Sequence, residues 1–206
     1  TTVYKQDGKY YLAIPDSLIG RDILMVSRVV KSAAGIRGSF SGYAGDQLNS
    51  GLYTFEKGPD NKIFFRNVSV RERSQDSIMS ENILKSNLTA IIGSFPIKAW
   101  NEDKSISIID VTDFFNADSE ELYFTKRTKT SFKLGAQDKE KSYISGIRTY
   151  PINTEVTVVK TFARTTGGNA TYELNCSFVL LPEVPMTTRY YDERVGYFTA
   201  TYTDFD

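Results

Sequence analysis

The chain has 206 residues, 40% of them apolar and 24% charged, with 25 basic and 25 acidic side chains and no histidine. A chain of that length buries a substantial core as one large β domain or two small ones. Zero net charge provides no field to recruit nucleic acid or an anionic membrane, and without imidazole these residues hold neither a Ser-His-Asp or Cys-His nucleophile nor an HExxH zinc site.

No window approaches the roughly 18 consecutive apolar residues of a membrane span, and "TTVYKQDGKYYLAIPD" lacks the basic and apolar regions of a signal peptide. Opening on a strand pattern without methionine, the chain reads as a processed or excised piece of something longer. Cys176 is the single cysteine, so no internal disulfide forms. Thirteen Phe and thirteen Tyr tilt the composition toward strands, whose pleated surface accommodates rings.

"TVYK", the Asp7-Gly8 turn and "KYYLAI" predict an opening hairpin, with Tyr10, Leu12 and Ile14 on one face. "DILMVSRVV" is a short, β-branched apolar run that fits a buried strand. The glycine-rich stretch "KSAAGIRGSFSGYAGDQLNSG" reads as a long loop. It lacks the Lys-Ser/Thr pair of a phosphate cradle, and Phe40, Tyr43 and Asp46 make it a candidate contact loop, with glycine permitting close backbone approach.

"LYTFEKGPDNKIFFRNVSVRER" predicts a second hairpin turning at Pro59 and Asp60-Asn61. "SQDSIMSENILKSNL" predicts a helix capped by Asp76 or Ser77 and ending near Asn87, with Leu84 and Leu88 at helical spacing with Ile91 and Ile92. The same isoleucines also suit a strand through "AIIGSFPIKAW", which pairs with "SISIIDV" across "NEDK". "DVTDFFNADSEELYF" predicts a short helix entered at Asp110 or Thr112, and "DKEKSYISGIRTYP" a helical turn before Pro151.

The clearest pattern comes later. "NTEVTVVKTFAR" and "ATYELNCSFVLLPEVP" flank Gly167-Gly168-Asn169, and Tyr172, Leu174, Cys176, Phe178 and Leu180 alternate with polar residues. Successive hairpins without a βαβ rhythm predict a mainly β fold, with α+β as the alternative: an antiparallel sheet or sandwich with one to three short helices in a single domain over 1–206.

Candidate chemistry is sparse. Cys176, on the apolar face of its strand, reads as a buried structural thiol rather than a nucleophile. Asp110, Asp113, Asp118, Glu120 and Glu121 cluster in sequence, as a glycosidase pair or calcium site requires, but capping and a solvated acidic turn account for them. No residue is predicted to be catalytic or to bind metal. The interface-like composition lies in "PMTTRYYDERVGYFT", where arginines and acids interleave with aromatic rings; an edge strand held by its own ion pairs explains it equally well.

Taken in order, "IPDSLIGRDILMVSRV", "SFSGYAGD", "FEKGPDNKIFF", "IDVTDFF", "KSYISGIRTYPINTEV" and "PMTTRYYDERVGYFT" resemble the domain of unknown function that precedes the catalytic domain in bacterial zinc-dependent metallopeptidases of the HExxH family. The resemblance spans nearly the whole chain. It implies a periplasmic or extracellular, non-catalytic accessory domain that docks on or positions substrate for a downstream catalytic domain. Zinc is then a cofactor of the parent protein and not of this chain, and the implied partners are that domain and a peptide substrate. Residues 186–206 become the junction, with Arg189, Asp192, Arg194, Tyr197 and Phe198 at an inter-domain contact or cleft rim. The alternative is a free-standing peptide- or glycan-binding module using Tyr190, Tyr191 and Trp100.

Overall fold

Left-handed backbone at Asp7 and Gly8, with φ of 49° and 78°, turns β1 (Thr2–Gln6) directly into β2 (Lys9–Pro15). Both central residues of such a turn need positive φ, which Asp and Gly tolerate. The computed structural model describes residues 1–37, 41–187, 189–196, 198 and 200–205. After a single 3-10 turn at Asp16–Leu18, the chain continues through β3 (Ile23–Lys31), β4 (Gln47–Gly58), β5 (Lys62–Asn67) and the two-residue β6 (Glu72–Arg73). Helix α1 (Ser77–Ser86) precedes β7 (Ile91–Trp100) and β8 (Ile106–Asp110), which lead into α2 (Thr112–Asn116) and α3 (Lys126–Phe132). Three long strands follow, β9 (Leu134–Thr149), β10 (Asn153–Arg164) and β11 (Asn169–Leu180), and β12 (Thr203–Asp204) closes the list of elements.

Ten strands form one antiparallel sheet in the order β1-β2-β8-β7-β5-β4-β3-β11-β10-β9, mainly β as the hairpin succession predicts. The sheet is nearly closed as a barrel: its two edge strands, β1 and β9, approach one another, and Thr1 Oγ1 lies 2.9 Å from Thr154 Oγ1 across the seam. Closure protects edges that would otherwise offer unpaired amides to other chains.

Register explains which side chains face inward. Val156 pairs with Cys176, Cys176 with Ser27 and Ser27 with Asn49, so one row crosses four strands on the inner face. A second row joins Val158, Leu174 and Val29. Tyr10, Leu12 and Ile14 are buried together, as their alternation predicts. Aromatic bulk inside is accommodated by missing side chains. A Cβ on Gly93 would lie 2.7 Å from the Phe95 ring and 3.1 Å from that of Phe114.

One expectation is corrected. Residues 138–149 are not a helical turn but part of the sixteen-residue β9, whose pairing to β10 shifts register three times. Those irregularities break the period-two signal, and solvated Lys139, Glu140 and Lys141 remove the apolar stripe. Helix α1 forms where expected, with Asp76 Oδ1 accepting from Met79 N at 2.8 Å, yet it buries no residue, and Leu84 and Leu88 are 71% and 86% exposed. Helix α3 has no counterpart among the predicted elements.

The segment between β8 and β9 is held against the inner face. Leu122, Tyr123 and Phe124 are almost fully buried. Buried backbone carbonyls need donors, and inward side chains provide them: Asn49 Nδ2 donates to Glu120 O and Tyr123 O at 2.9 and 2.5 Å, and Gln137 Nε2 to Asn116 O at 2.8 Å. Lys160 Nζ donates to Phe115 O, Asn116 O and Ala117 O at 2.9, 2.6 and 3.0 Å.

Candidate functional site

Two features present unsatisfied apolar surface, one concave and one on the outside of the barrel. The concave one is a cavity of about 70 Å³ between the β9–β10 turn and the aromatic core. Phe55, Phe65, Phe95, Phe114, Phe115 and Phe178 all line it. Their rings form one connected set, with centroids 5.0 Å apart for Phe55–Phe65, 5.2 Å for Phe95–Phe114 and 5.8 Å for Phe115–Phe178. Edge-to-face packing of this kind holds rings in place. Among the described residues no charged side chain lines the cavity; the polar side chains, Thr1, Tyr150, Asn153 and Thr154, lie around the β9–β10 turn and the seam. Tyr150 and Ile152 line it from that turn while remaining 49% and 63% exposed. The turn is fixed by Tyr150 N donating to Asn153 O at 2.7 Å and Leu180 N donating to Ile152 O at 2.8 Å.

The outer feature joins α1 to the C-terminal segment. Thr203 N donates to Arg71 O and Phe205 N to Arg73 O, which lays β12 parallel to β6 immediately before the helix. Arg73 reinforces this latch: its guanidinium lies 3.8 Å from the Tyr202 ring centroid and 3.0 Å from Asp204 Oδ2. Ile78 and Leu84 are exposed on α1 and Leu88 just after it, and Tyr190, Tyr191 and Phe198 are exposed in the segment leading to the latch.

The predicted junction residues take distinct positions. Asp192 and Arg194 pair with each other: Nε donates to Oδ1 at 2.8 Å, Nη2 to Oδ2 at 2.5 Å, and the Arg194 amide to Oδ1 at 3.0 Å. Those bonds hold the Asp192 carboxyl below the usual range. Arg189 is solvent-exposed and Phe198 fully so, while Tyr197 lies outside the described residues. In the loop, Asp46 Oδ2 accepts from Gly42 N and Tyr43 N at 2.7 and 2.9 Å, so Asp46 shapes the turn. The Arg37 guanidinium lies over the half-exposed Tyr43 ring; Phe40 is outside the described residues. A cleft of about 230 Å³ separates this loop from Arg127, Thr128 and Ser131 of α3.

The acidic cluster does not converge. Asp110 binds Lys9 and the Thr112 amide, Asp118 binds Lys129, Glu120 accepts from the Lys126 amide, and Glu121 faces the Tyr53 hydroxyl at 3.4 Å. Cys176 Sγ faces Leu122 O at 3.5 Å, and burial pushes its thiol up to about 12, the opposite of an activated nucleophile. Burial likewise brings the Lys160 ammonium down to about 8. Among the described residues no group of three or more His, Cys, Asp or Glu side chains could hold a metal ion, and no helix is long and apolar enough to cross a membrane. The apolar cavity and the exposed helix were not foreseen; Ile152 between Pro151 and Asn153 was the one visible hint of an exposed apolar rim.

Fold and surface together define a nearly closed antiparallel β-barrel whose most distinctive sites are apolar. Residues 45–206 match the family described as Domain of unknown function (DUF5117), and the chain belongs to that family. Residues 1–32 match a second, Domain of unknown function (DUF5118). No curated protein and no solved structure matches the chain. The two matched stretches share one sheet: β3, within residues 1–32, lies between β4 and β11, both within residues 45–206.

Proposed function

We propose that the chain is a single accessory domain, without catalytic groups of its own, that docks on the catalytic domain of an exported zinc-dependent metallopeptidase. The observation that carries this reading is helix α1, which buries none of its residues and exposes Ile78 and Leu84 beside the β6–β12 latch. Scattered apolar side chains are ordinary on a surface. A helix with no buried residue, next to a segment rich in exposed tyrosine and phenylalanine, has the composition of an interface.

The sequence resemblance supplies the occupant, a downstream catalytic domain in the same polypeptide. Tyr190, Tyr191 and Phe198 serve as aromatic anchors, with Arg189 offering bidentate bonds at the rim. Arg194, held by Asp192, contributes a preorganised flat surface. Zinc belongs to the neighbour in this reading, because this chain has no histidine and its one thiol faces the core. Its compartment is the periplasm or the exterior.

The test is the double substitution Leu84→Asp, Leu88→Asp in the full-length polypeptide. Both positions are exposed, so the barrel folds normally. Loss of domain association or of peptidase activity supports docking; wild-type association and activity overturn it. The alternative, a free-standing peptide- or glycan-binding module, rests on the exposed rings of Tyr190, Tyr191 and Trp100. These rings sit on separate elements, the C-terminal segment and the end of β7. Specific binding of glycans or peptides by the isolated chain would favour that alternative.

A further inference from the structure

We propose that the phenylalanine-lined cavity at the barrel mouth is a binding site for the terminal carbons of a linear alkyl amphiphile, independent of the docking face. Three observations converge on that ligand class. The first is polarity: among the described residues no charged side chain lines the cavity, and its polar side chains, Thr1, Tyr150, Asn153 and Thr154, lie near the seam and the β9–β10 turn. A charged group would enter without an oppositely charged side chain among the lining residues, which burial penalises.

The second is size. At about 70 Å³ the cavity is roughly half the 150 Å³ void that holds benzene. It therefore takes the end of a chain, a few carbons wide of nothing bulkier, and leaves the rest of the ligand outside. The third is the rim. Ile152 and Tyr150 both line the cavity and stay exposed, so they extend apolar surface from the interior to solvent. A methylene chain leaving the cavity lies along them, with its polar head in water. A peptide backbone is a poorer fit, because Pro151 has no amide to donate and the amides of Tyr150 and Leu180 are already bonded to Asn153 O and Ile152 O.

Antiparallel barrels whose interiors are not fully packed hold small ligands in their mouths. Here the segment between β8 and β9 contributes Phe114 and Phe115 to the wall of a cavity of about 70 Å³, so its length selectivity is short.

The experiment titrates 1-butanol, 1-hexanol, 1-octanol and a leucine-containing hexapeptide into the full chain. Methyl resonances of Leu12, Leu18, Ile23, Ile152 and Leu180 are followed by NMR. The expected result is saturable, one-to-one shifts of these methyls, with affinity rising about fourfold for each carbon that becomes buried and levelling off once the cavity is full. Leu180→Phe, which fills the cavity, abolishes binding. Ile152→Glu, at an exposed position that does not challenge folding, weakens it about tenfold. The proposal is overturned by the absence of saturable alcohol shifts, by affinities independent of chain length, by an Ile152→Glu response equal to wild type, or by saturation with the peptide and not the alcohols.

Discussion

The Lys160 ammonium donates to the carbonyl of Asn116 across 2.6 Å, fixing a strand of the barrel to the end of a helix inside it. Phe115 O and Ala117 O complete the set of three acceptors, and the Tyr123 ring lies 4.7 Å from the same nitrogen. The last carbonyls of a helix carry its negative dipole end and lack intrahelical partners. One cation therefore serves α2 as a cap contributed by β10.

Replacing that cap exposes its worth. Lys160→Met keeps most of the stem but takes the ammonium from all three carbonyls, leaving Phe115 O with the Tyr123 hydroxyl, Asn116 O with Gln137 Nε2 and Ala117 O with neither. The expected loss is about 3 kcal/mol of stability by urea denaturation. A loss below about 0.5 kcal/mol would mean that the carbonyls find other partners.

Alkali tests Cys176. Its thiol titrates at about 12 in the fold against an ordinary 9.0, so the folded chain holds a proton that the unfolded chain releases between those values. This contribution is complete below pH 9 and is lost as pH rises toward 12, on the order of 4 kcal/mol in all. Tyr53 and Tyr172, also raised to about 12, act in the same direction from pH 10 upward, while Lys160, lowered to about 8, opposes them between pH 8 and 10.5. Cys176→Ala removes one term, so its stability falls less steeply than wild type between pH 9 and 11. Parallel pH curves for the two proteins would contradict the assignment.

Gly93 tests the aromatic packing. Adding one methyl in Gly93→Ala places a Cβ against the rings of Phe95 and Phe114. Overpacking of this kind costs about 1–3 kcal/mol. Thermal melts should show the loss, and the double variant Gly93→Ala, Phe95→Leu should recover part of it.

Arg73 tests the latch. Arg73→Ala removes the ion pair to Asp204 and the contact with the Tyr202 ring, while the barrel's own ladder is untouched. Limited proteolysis within residues 182–200 should accelerate with no change in the main unfolding transition. Unchanged cleavage would show that the backbone bonds to Arg71 and Arg73 suffice.

The sequence pattern was most informative where turn chemistry and alternation agreed. Asp7-Gly8, Asp60-Asn61 and Gly167-Gly168 mark three hairpins, each with positive φ at those residues. Pattern failed at β9, where bulges and a solvated Lys-Glu-Lys run hide a strand that only pairing to β10 creates. It also failed at α3, seven mostly polar residues made helical by the Thr125 cap and by Lys133 at φ 55°. Leucine spacing in α1 gave the helix but not its environment, since periodicity shows that a face is apolar and not what covers it. Of the site, the aromatic segment before β12 was visible as composition; the cavity, assembled from residues as distant as Leu12 and Leu180, was not.

The interior place of β3 in the sheet bears on assembly. Ile23 pairs with Leu180, and Leu12 with Ile109, so β2 and β3 each complete their pairing only with a strand far downstream. At about 5–20 residues per second of synthesis, the nascent amino-terminal hairpin waits on the order of ten seconds for a partner. During that interval its unpaired edge and apolar face stay open to association with other chains.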